Sequence, residues 1–179
     1  MPDLSPVQKK FILHWGEMGT RWGINRTVAQ VHALLYLSPQ PLDAEEIAKT
    51  LGVARSNVST SLRELQGWGI VRVTHLLGGR RDHFVTLTDV WEMFRIIMDE
   101  RKRREIDPTI EMLRESVAEL SREPAGDAYS RERIAAMLDF MESMNSLYGE
   151  FGKMTPAVFK SLAKLRGKLR DLISKKAKR

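Results

Sequence analysis

One short stretch of the chain carries polar side chains at helical spacing. This stretch begins near residue 55 and contains no carboxylate before Glu64. Short hydroxyls permit close approach, and an arginine can donate two parallel hydrogen bonds, which suits phosphate oxygens and the edges of bases. A polar surface helix would ordinarily mix Glu and Lys freely, so we favour recognition of such groups over simple solvation. The residues recur at i, i+3, i+4 and i+7 on one side of a helix: Ser56, Ser59, Thr60 and Arg63.

The opposite side of the same stretch is apolar. Val58, Leu62 and Leu65 recur at i, i+4 and i+7, which predicts a helix from about residue 55 to 68 with one buried face. Arg55 and Asn57 extend its polar side. A helix with this division needs a second element behind it to bury the apolar side chains.

The preceding residues supply such an element. Asp43 can cap a helix, and Glu46 stands three residues later, as in a capping box. Gly52 permits the left-handed backbone that ends a helix. Two helices joined by this turn predict a helix-turn-helix, whose second helix enters the major groove of DNA.

A basic hairpin follows the second helix. Residues 70–76 and 83–87 read as paired strands, and Gly78 and Gly79 permit the turn between them. Arg80 and Arg81 should lie at the tip, where they suit a minor groove or the DNA backbone. Charges that solubilise a sheet edge are the alternative. The predicted DNA contacts are therefore Arg55, Ser56, Asn57, Ser59, Thr60, Arg63, Arg80 and Arg81.

This region resembles MarR-type regulators, and more closely their GbsR-like branch, over roughly residues 20 to 120. Ala54 departs from the pattern because such motifs often have a Ser cap there, and the wing order Gly-Arg-Arg-Asp departs because the broader family places an Asp before the Arg. The stretches that carry the resemblance are LDAEEIA at 42–48, RSNVSTSLREL at 55–65, WGIV at 68–71, GRRDHF at 79–84, DVWEM at 89–93 and EIDP at 105–108.

The resemblance implies a mainly α fold with a small β-hairpin wing, in which a winged helix-turn-helix is joined to a helical dimerisation region. It also implies a small-molecule effector, because GbsR-like relatives are linked to choline and glycine betaine metabolism. A quaternary ammonium group would need aromatic faces around it. Ordinary core packing is the alternative for each candidate, and the candidates are Trp15, Trp22, Tyr36 and Trp91.

Three regions are expected. Residues 1–24 form an N-terminal helix, capped by Ser5, interrupted by Gly19 and Gly23 and expected to contact the partner in a dimer. Residues 25–88 form the winged helix-turn-helix. Residues 89–179 form a C-terminal helical dimerisation region.

One-faced helices fill the C-terminal region and must bury their apolar sides within the chain or between two chains. Asp89 should cap a helix that runs to about residue 106, and another restarts at residues 107–108. Ser130 should cap the next helix, and Thr155 should open the last one, before a basic tail. The apolar residues expected on one face of the helix after Ser130 are Ile134, Met137, Leu138, Met141, Met144 and Leu147.

Composition narrows the classes of function. The net charge of +6 favours a polyanionic partner such as double-stranded DNA. Zero cysteines exclude disulfides and thiolate metal sites. No stretch approaches the ~20 apolar residues of a membrane span and no signal peptide is evident, so we expect a cytoplasmic protein.

Enzyme motifs are not evident in the sequence, so we expect neither catalysis nor a cofactor. His75 and His83 could face each other across the wing, but two histidines without a third ligand are more often structural, so we expect no metal site. The sequence thus favours a homodimeric transcriptional regulator, more often a repressor, that reads a pseudo-palindromic operator. The rival is a winged helix used as a protein-interaction module without specific DNA binding.

Overall fold

The computed structural model of the chain describes residues 4–122, 127–153, 157–158 and 161. The chain divides into two compact units, Met1–Met98 and Asp99–Arg179. The boundary falls inside one helix, so the division does not coincide with the ends of secondary structure.

The first unit begins with two N-terminal helices. Helix α1, Pro6–Arg21, begins with a capping box between Ser5 and Gln8, and helix α2, Arg26–Leu37, is capped by Asn25. Every residue from 28 to 35 is buried, because α2 lies in the centre of the apolar core. This helix is therefore the support against which the other elements pack.

Gly19 does not interrupt α1, contrary to the sequence-based expectation. A Cβ atom at Gly19 would lie 2.5 Å from the Cβ of Ala29, and one at Gly16 would lie 2.7 Å from the Cγ of Gln30. The two glycines therefore serve close packing of α1 on α2. Only Gly23, with φ of +77°, lies in the turn that follows the helix.

The predicted helix-turn-helix is confirmed. Helix α3, Ala44–Leu51, ends at Gly52, which adopts a left-handed conformation with φ of 65°. Helix α4 spans Arg55–Gly67 and buries Val58, Leu62 and Leu65. Its start has Ala54 at the cap position, without a side-chain hydrogen bond to the first turn.

The wing is an antiparallel hairpin. Strand β2, Val71–His75, pairs with strand β3, Asp82–Thr86, and a two-residue strand β1, Leu42–Asp43, pairs with the other edge of β3. The order in the sheet is therefore β1-β3-β2. The short strand was not predicted from sequence, because two residues carry no detectable alternation, yet it joins the wing to the start of α3.

Helix α5, Val90–Arg101, is capped by Asp89, whose carboxylate accepts from two backbone N–H groups of the first turn. The predicted α-helix to residue 106 is replaced after Arg101 by a π-helical segment, Lys102–Ile106. Pro108 explains the change, because it has no N–H to donate and its ring crowds the carbonyl four residues earlier. In this segment each backbone hydrogen bond spans one residue more than in an α-helix, as in π-helical bulges.

The second unit contains an antiparallel pair, helix α6, Asp107–Arg122, and helix α7, Ala128–Lys153. Arg114 of α6 donates from Nη2 to Oε1 of Glu142 in α7 over 2.6 Å. The cap of α7 is Asp127, which accepts from the backbone N–H groups of Tyr129 and Ser130, so the expected cap by Ser130 is wrong.

Helix α7 carries two apolar faces rather than the single face expected. Ile134, Leu138 and Met141 are half-buried, whereas a second set is exposed. The exposed set follows a strict 3-4-3 spacing, which is the seam of a coiled coil. We call it the α7 seam, and it consists of Met137, Phe140, Met144 and Leu147.

Most of the expected last helix, with the basic tail, lies outside the described residues. Each helix in the described part of the chain is too short or too polar to cross a lipid bilayer.

Candidate nucleic-acid interface

The polar face of α4 points into solvent. All six residues of α4 predicted to contact DNA are exposed, and the residues between them on the other side are buried. The division follows directly from the 3.6-residue repeat, which turns every third or fourth side chain to the same side. The exposed residues are Arg55, Ser56, Asn57, Ser59, Thr60 and Arg63.

Hydrogen bonds within α4 distinguish its buried hydroxyl group from an exposed one. Ser61 is buried and donates to the carbonyl oxygen of Asn57 over 2.8 Å. The guanidinium of Arg63 instead lies 3.4 Å from the hydroxyl of Thr60, both on the exposed side. Ser61 is thus satisfied within the helix, whereas Thr60 and Arg63 are available to a partner in solution.

A groove of about 470 Å³ lies between α4 and the wing. Its lining includes Arg55 and Ser59 of α4 and Arg80 and Arg81 of the wing. The structure therefore brings several of the predicted helix contacts and both wing contacts to a common surface. Three carboxylates, those of Asp43, Glu45 and Asp82, also line the groove.

The carboxylate of Asp43 accepts several hydrogen bonds at this surface. Its Oδ1 accepts from the backbone N–H groups of Glu45 and Glu46, each over 2.8 Å. Glu46 completes the capping box, because its Oε2 accepts from the backbone N–H of Asp43 over 2.8 Å. The capping box predicted from sequence is confirmed.

The second oxygen of Asp43 binds the wing. The Nη1 atom of Arg81 lies 2.8 Å from Oδ2, and the Asp43 side chain is only 9% exposed although that of Arg81 is 70% exposed. Burial by itself would raise the pKa of Asp43, but hydrogen bonds from Arg81 and from the two backbone N–H groups outweigh it. The pKa of this carboxyl therefore lies below its ordinary value of 3.8, and it is ionised at neutral pH.

The two wing arginines consequently differ in their surroundings. Arg81 is committed to Asp43, 38 positions earlier in the chain. Arg80 is exposed and forms no ion pair with any residue that the structure describes. Sequence reasoning treated the two alike, because the pairing of β1 with β3 that brings Asp43 to Arg81 has no signal in the local sequence.

The wing histidines do not face each other as the sequence suggested. His75 pairs with Asp82 across the hairpin, and His83 pairs with Thr74. Side-chain atoms of Asp43, Glu46 and His83 do lie within 4.8 Å of one another. Both oxygens of Asp43 and one of Glu46 already accept hydrogen bonds, so we interpret this group as part of the fold rather than as a metal site.

A small apolar cavity of about 40 Å³ lies elsewhere in the first unit. Two of the four predicted ligand residues line it, Trp15 and Trp22, together with Trp68, which the sequence analysis did not select. Tyr36 and Trp91 are not among the lining residues. A tryptophan beside the glycine that ends a helix was the available signal for Trp68, but it is equally typical of ordinary core packing.

His32 also lines this cavity. Its Nε2 lies 3.3 Å from the sulfur of Met93, and burial lowers the pKa of the imidazole to about 4. The ring is therefore neutral at neutral pH and adds no positive charge to the cavity.

The ion pair between Asp43 and Arg81 gives a testable prediction for stability. Arg81→Gln and Asp43→Asn should each lower the free energy of unfolding at pH 7, and the double variant should lose less than the sum of the two. Asn can still cap a helix, so Asp43→Ala should cost about 0.5–2 kcal/mol more than Asp43→Asn. Urea unfolding of the wild-type protein and these four variants measures the differences.

Arg80→Gln is the matched control, because it removes the neighbouring charge and should leave stability unchanged. The coupling should be complete above pH 3.8 and should vanish as the pH falls through the lower pKa of folded Asp43. Additive losses at pH 7 would show that the pair does not join the wing to α3.

Comparison with known proteins finds similarity to one family over the winged helix. Residues 22–82, which include the helix-turn-helix and most of the wing, match the model of the MarR family. The chain is 22% identical to the HTH-type transcriptional repressor GbsR of Bacillus subtilis (strain 168) over 141 residues, 76% of this chain and 77% of that protein.

A solved structure supports the fold. The crystal structure of a transcriptional regulator is similar with a TM-score of 0.63 and 20% sequence identity, and the match covers 82% of this chain and 96% of that chain. The family match covers the winged helix, and the similarity to GbsR and to the solved fold extends well beyond it. The winged helix of this chain is therefore similar to the MarR family, and 76% of the chain is similar to the repressor GbsR.

Proposed function

We propose that this chain is a sequence-specific DNA-binding transcriptional regulator that reads a pseudo-palindromic operator as a homodimer. The observation that carries the proposal is the exposed polar face of α4, without a carboxylate, on one side of a groove whose other wall bears Arg80. Repression is the proposed sign of control, because the similar protein GbsR is named a repressor.

In this proposal α4 is the recognition helix. Arg63 is long enough to bond the two acceptor atoms of a guanine in the major groove, once it turns away from Thr60. Ser56, Asn57 and Ser59 lie closer to the start of the helix, which is the end that reaches base edges in helix-turn-helix proteins. Their short side chains allow the helix backbone to approach the bases.

The groove between α4 and the wing suits a strand of the DNA backbone. Arg55 lies in the first turn of α4, and Arg80 faces it from the wing. The N-terminus of a helix attracts phosphate, and the start of α4 has no side-chain cap to occupy its N–H groups. Arg55 and Arg80 are therefore proposed as phosphate contacts, and Arg81 as the residue that holds the wing in place.

Two substitutions separate base reading from backbone binding. Arg63→Ala should lose about 1–3 kcal/mol on the preferred duplex and much less on random DNA, because a base contact carries the specificity. Arg80→Ala should weaken both duplexes equally and reduce the salt dependence by about one counterion. Fluorescence anisotropy at several salt concentrations measures both effects, on a duplex selected by the wild-type protein.

Arg21→Ala, at the end of α1, is the matched control for net charge and should change neither quantity. Equal losses for Arg63→Ala and Arg80→Ala on specific and random DNA would show that the division between base and backbone contacts is wrong.

Dimerisation is proposed because one recognition helix reads few base pairs, whereas two related by a two-fold axis read half-sites about 34 Å apart. The α7 seam is the proposed contact within the C-terminal region. Its side chains are about half exposed, although the other apolar face of α7 is already half-buried. A heptad-spaced apolar seam on a helix of 26 residues is the pattern by which helices of two chains pack.

The seam gives a prediction for the oligomeric state. The wild-type protein should sediment as a dimer, and Phe140→Lys with Met144→Lys should shift it towards the monomer, because two charges would be buried in the contact. Ser146→Lys adds a charge to the exposed side of the same helix and should leave the dimer intact. Sedimentation velocity over a concentration series measures the oligomeric state. A dimer that survives the double substitution would exclude the α7 seam as the dimer contact.

A small effector is a further part of the proposal. The cavity lined by Trp15, Trp22 and Trp68 offers aromatic faces and a neutral His32, which is compatible with a quaternary ammonium group. At about 40 Å³ it holds roughly three water molecules, so a ligand of this class requires the cavity to widen. Binding would therefore move α1 relative to α4, and such a movement is a route from the ligand to the recognition helix.

Calorimetry with choline and with glycine betaine tests the effector. We expect binding with a change in tryptophan fluorescence, lost in Trp22→Leu and retained in Trp91→Leu, because Trp22 lines the cavity and Trp91 does not. Equal binding by both variants would assign the ligand to another site. Absence of binding by the wild-type protein, with undisturbed fluorescence, would exclude these ligands.

The rival function is a protein-interaction module. Such a module presents apolar or aromatic anchors on its binding helix. The exposed face of α4 instead carries hydroxyl, amide and guanidinium groups. The loss of specific DNA binding expected for Arg63→Ala distinguishes the two functions.

A further inference from the structure

The tip of the wing carries an apolar side chain that the proposed interface has not yet used. Leu77 has a relative exposure of 108%, so its whole side chain is in solvent. Its neighbour Leu76 is 44% exposed. Removing a leucine side chain from water is favourable, so Leu77 is a source of binding free energy for a partner that covers it.

The turn fixes where Leu77 lies. The backbone N–H of Gly79 donates to the carbonyl of Leu76 over 3.0 Å, and Gly78 has φ of +78°. A four-residue turn with a positive φ at its third position is a type II turn, which requires glycine there. Leu77 therefore occupies the second position, at the outer corner of the hairpin.

The wing that carries this corner is braced at its base. Strand β3 pairs on both edges, with β2 and with β1, and Arg81 is bound to Asp43. A Cβ atom at Gly79 would lie 3.3 Å from the carbonyl oxygen of Leu76, so the turn is close-packed. Leu77 is thus presented by an ordered hairpin, which reduces the entropy lost on binding.

The surroundings of Leu77 indicate the chemistry of its partner. Arg80 lies three residues further along the same loop, and the groove that it lines leads to Arg55 and Ser59 of the recognition helix. One leucine beside a cation on a narrow hairpin is too small for a stable protein interface, which buries more than about 1,000 Å². It matches the minor groove, where proteins insert apolar side chains between base pairs next to a cationic contact.

We propose that Leu77 enters the minor groove beside each half-site and partly unstacks one base step, while Arg80 holds the adjacent backbone. This inference rests on the proposed DNA-binding function. Pyrimidine–purine steps such as TA unstack most easily, so the operator should prefer them at this position although no base-specific hydrogen bond is made. Leu77 would then contribute specificity by shape and deformability.

The test uses a duplex selected by the wild-type protein from a random library and a second duplex in which only the step under the wing is changed to GC. Leu77→Ala should weaken binding to the TA duplex roughly 5- to 50-fold, in line with the apolar area removed. It should reduce the preference for TA over GC. The salt dependence of binding should not change, because leucine neutralises no phosphate.

Insertion of Leu77 between base pairs, which we call the wedge, must be distinguished from a general effect on DNA affinity. Two tests do so. Leu77→Met keeps the apolar reach and should restore most of the affinity and preference. With 2-aminopurine at the TA step, the wild-type protein and Leu77→Met should raise its fluorescence, and Leu77→Ala should not.

The outcomes distinguish this inference from the function on which it rests. Unchanged affinity and TA preference in Leu77→Ala, with Arg63→Ala still losing specific binding, would overturn the wedge and leave the regulator intact. Equal losses on TA and GC duplexes would also overturn the wedge. A wild-type protein that selects no duplex would overturn both.

Discussion

The carboxylate of Asp43 is the interaction on which the candidate interface depends. One oxygen caps α3, the other binds Arg81, and the backbone of the same residue pairs with β3. Asp43 thereby links the start of the helix-turn-helix to the wing. Because DNA offers its major and minor grooves at a fixed separation, a recognition helix and a wing must be held in register before either can bind productively.

The local features of this interface were predictable from the sequence, because they depend on neighbouring residues. The capping box of Asp43 and Glu46 and the division of α4 into a polar and an apolar side are confirmed. The role of Arg81 was not predictable, because its partner lies 38 positions away and meets it only through the pairing of β1 with β3. Gly19 was misread for the same reason: a glycine that breaks a helix and one that admits a neighbouring helix look identical in sequence.

The core holds α4 in place through its buried apolar side, so its exposed side can be polar. Helix α2 is buried along most of its length and supports α4 from behind, where Val58, Leu62 and Leu65 fill the contact. A cavity lined by residues of α1, α2 and α4 bears on the proposed effector, and it lies against α4, the proposed recognition helix, rather than beside the wing. Such a position suits control by small shifts of a packed helix, because the DNA-contacting side chains themselves need not touch the ligand.

The most direct measurement is selection of duplexes from a random library by the wild-type protein, followed by sequencing. We expect enrichment of two inverted half-sites whose centres lie about one helical turn, or a multiple of it, apart. We also expect the enriched sequences to change at the half-site bases in Arg63→Ala and not to change there in Arg80→Ala. A library that stays random after repeated rounds, with weak binding that disappears as salt is raised, would contradict the central claim that this chain reads DNA sequence.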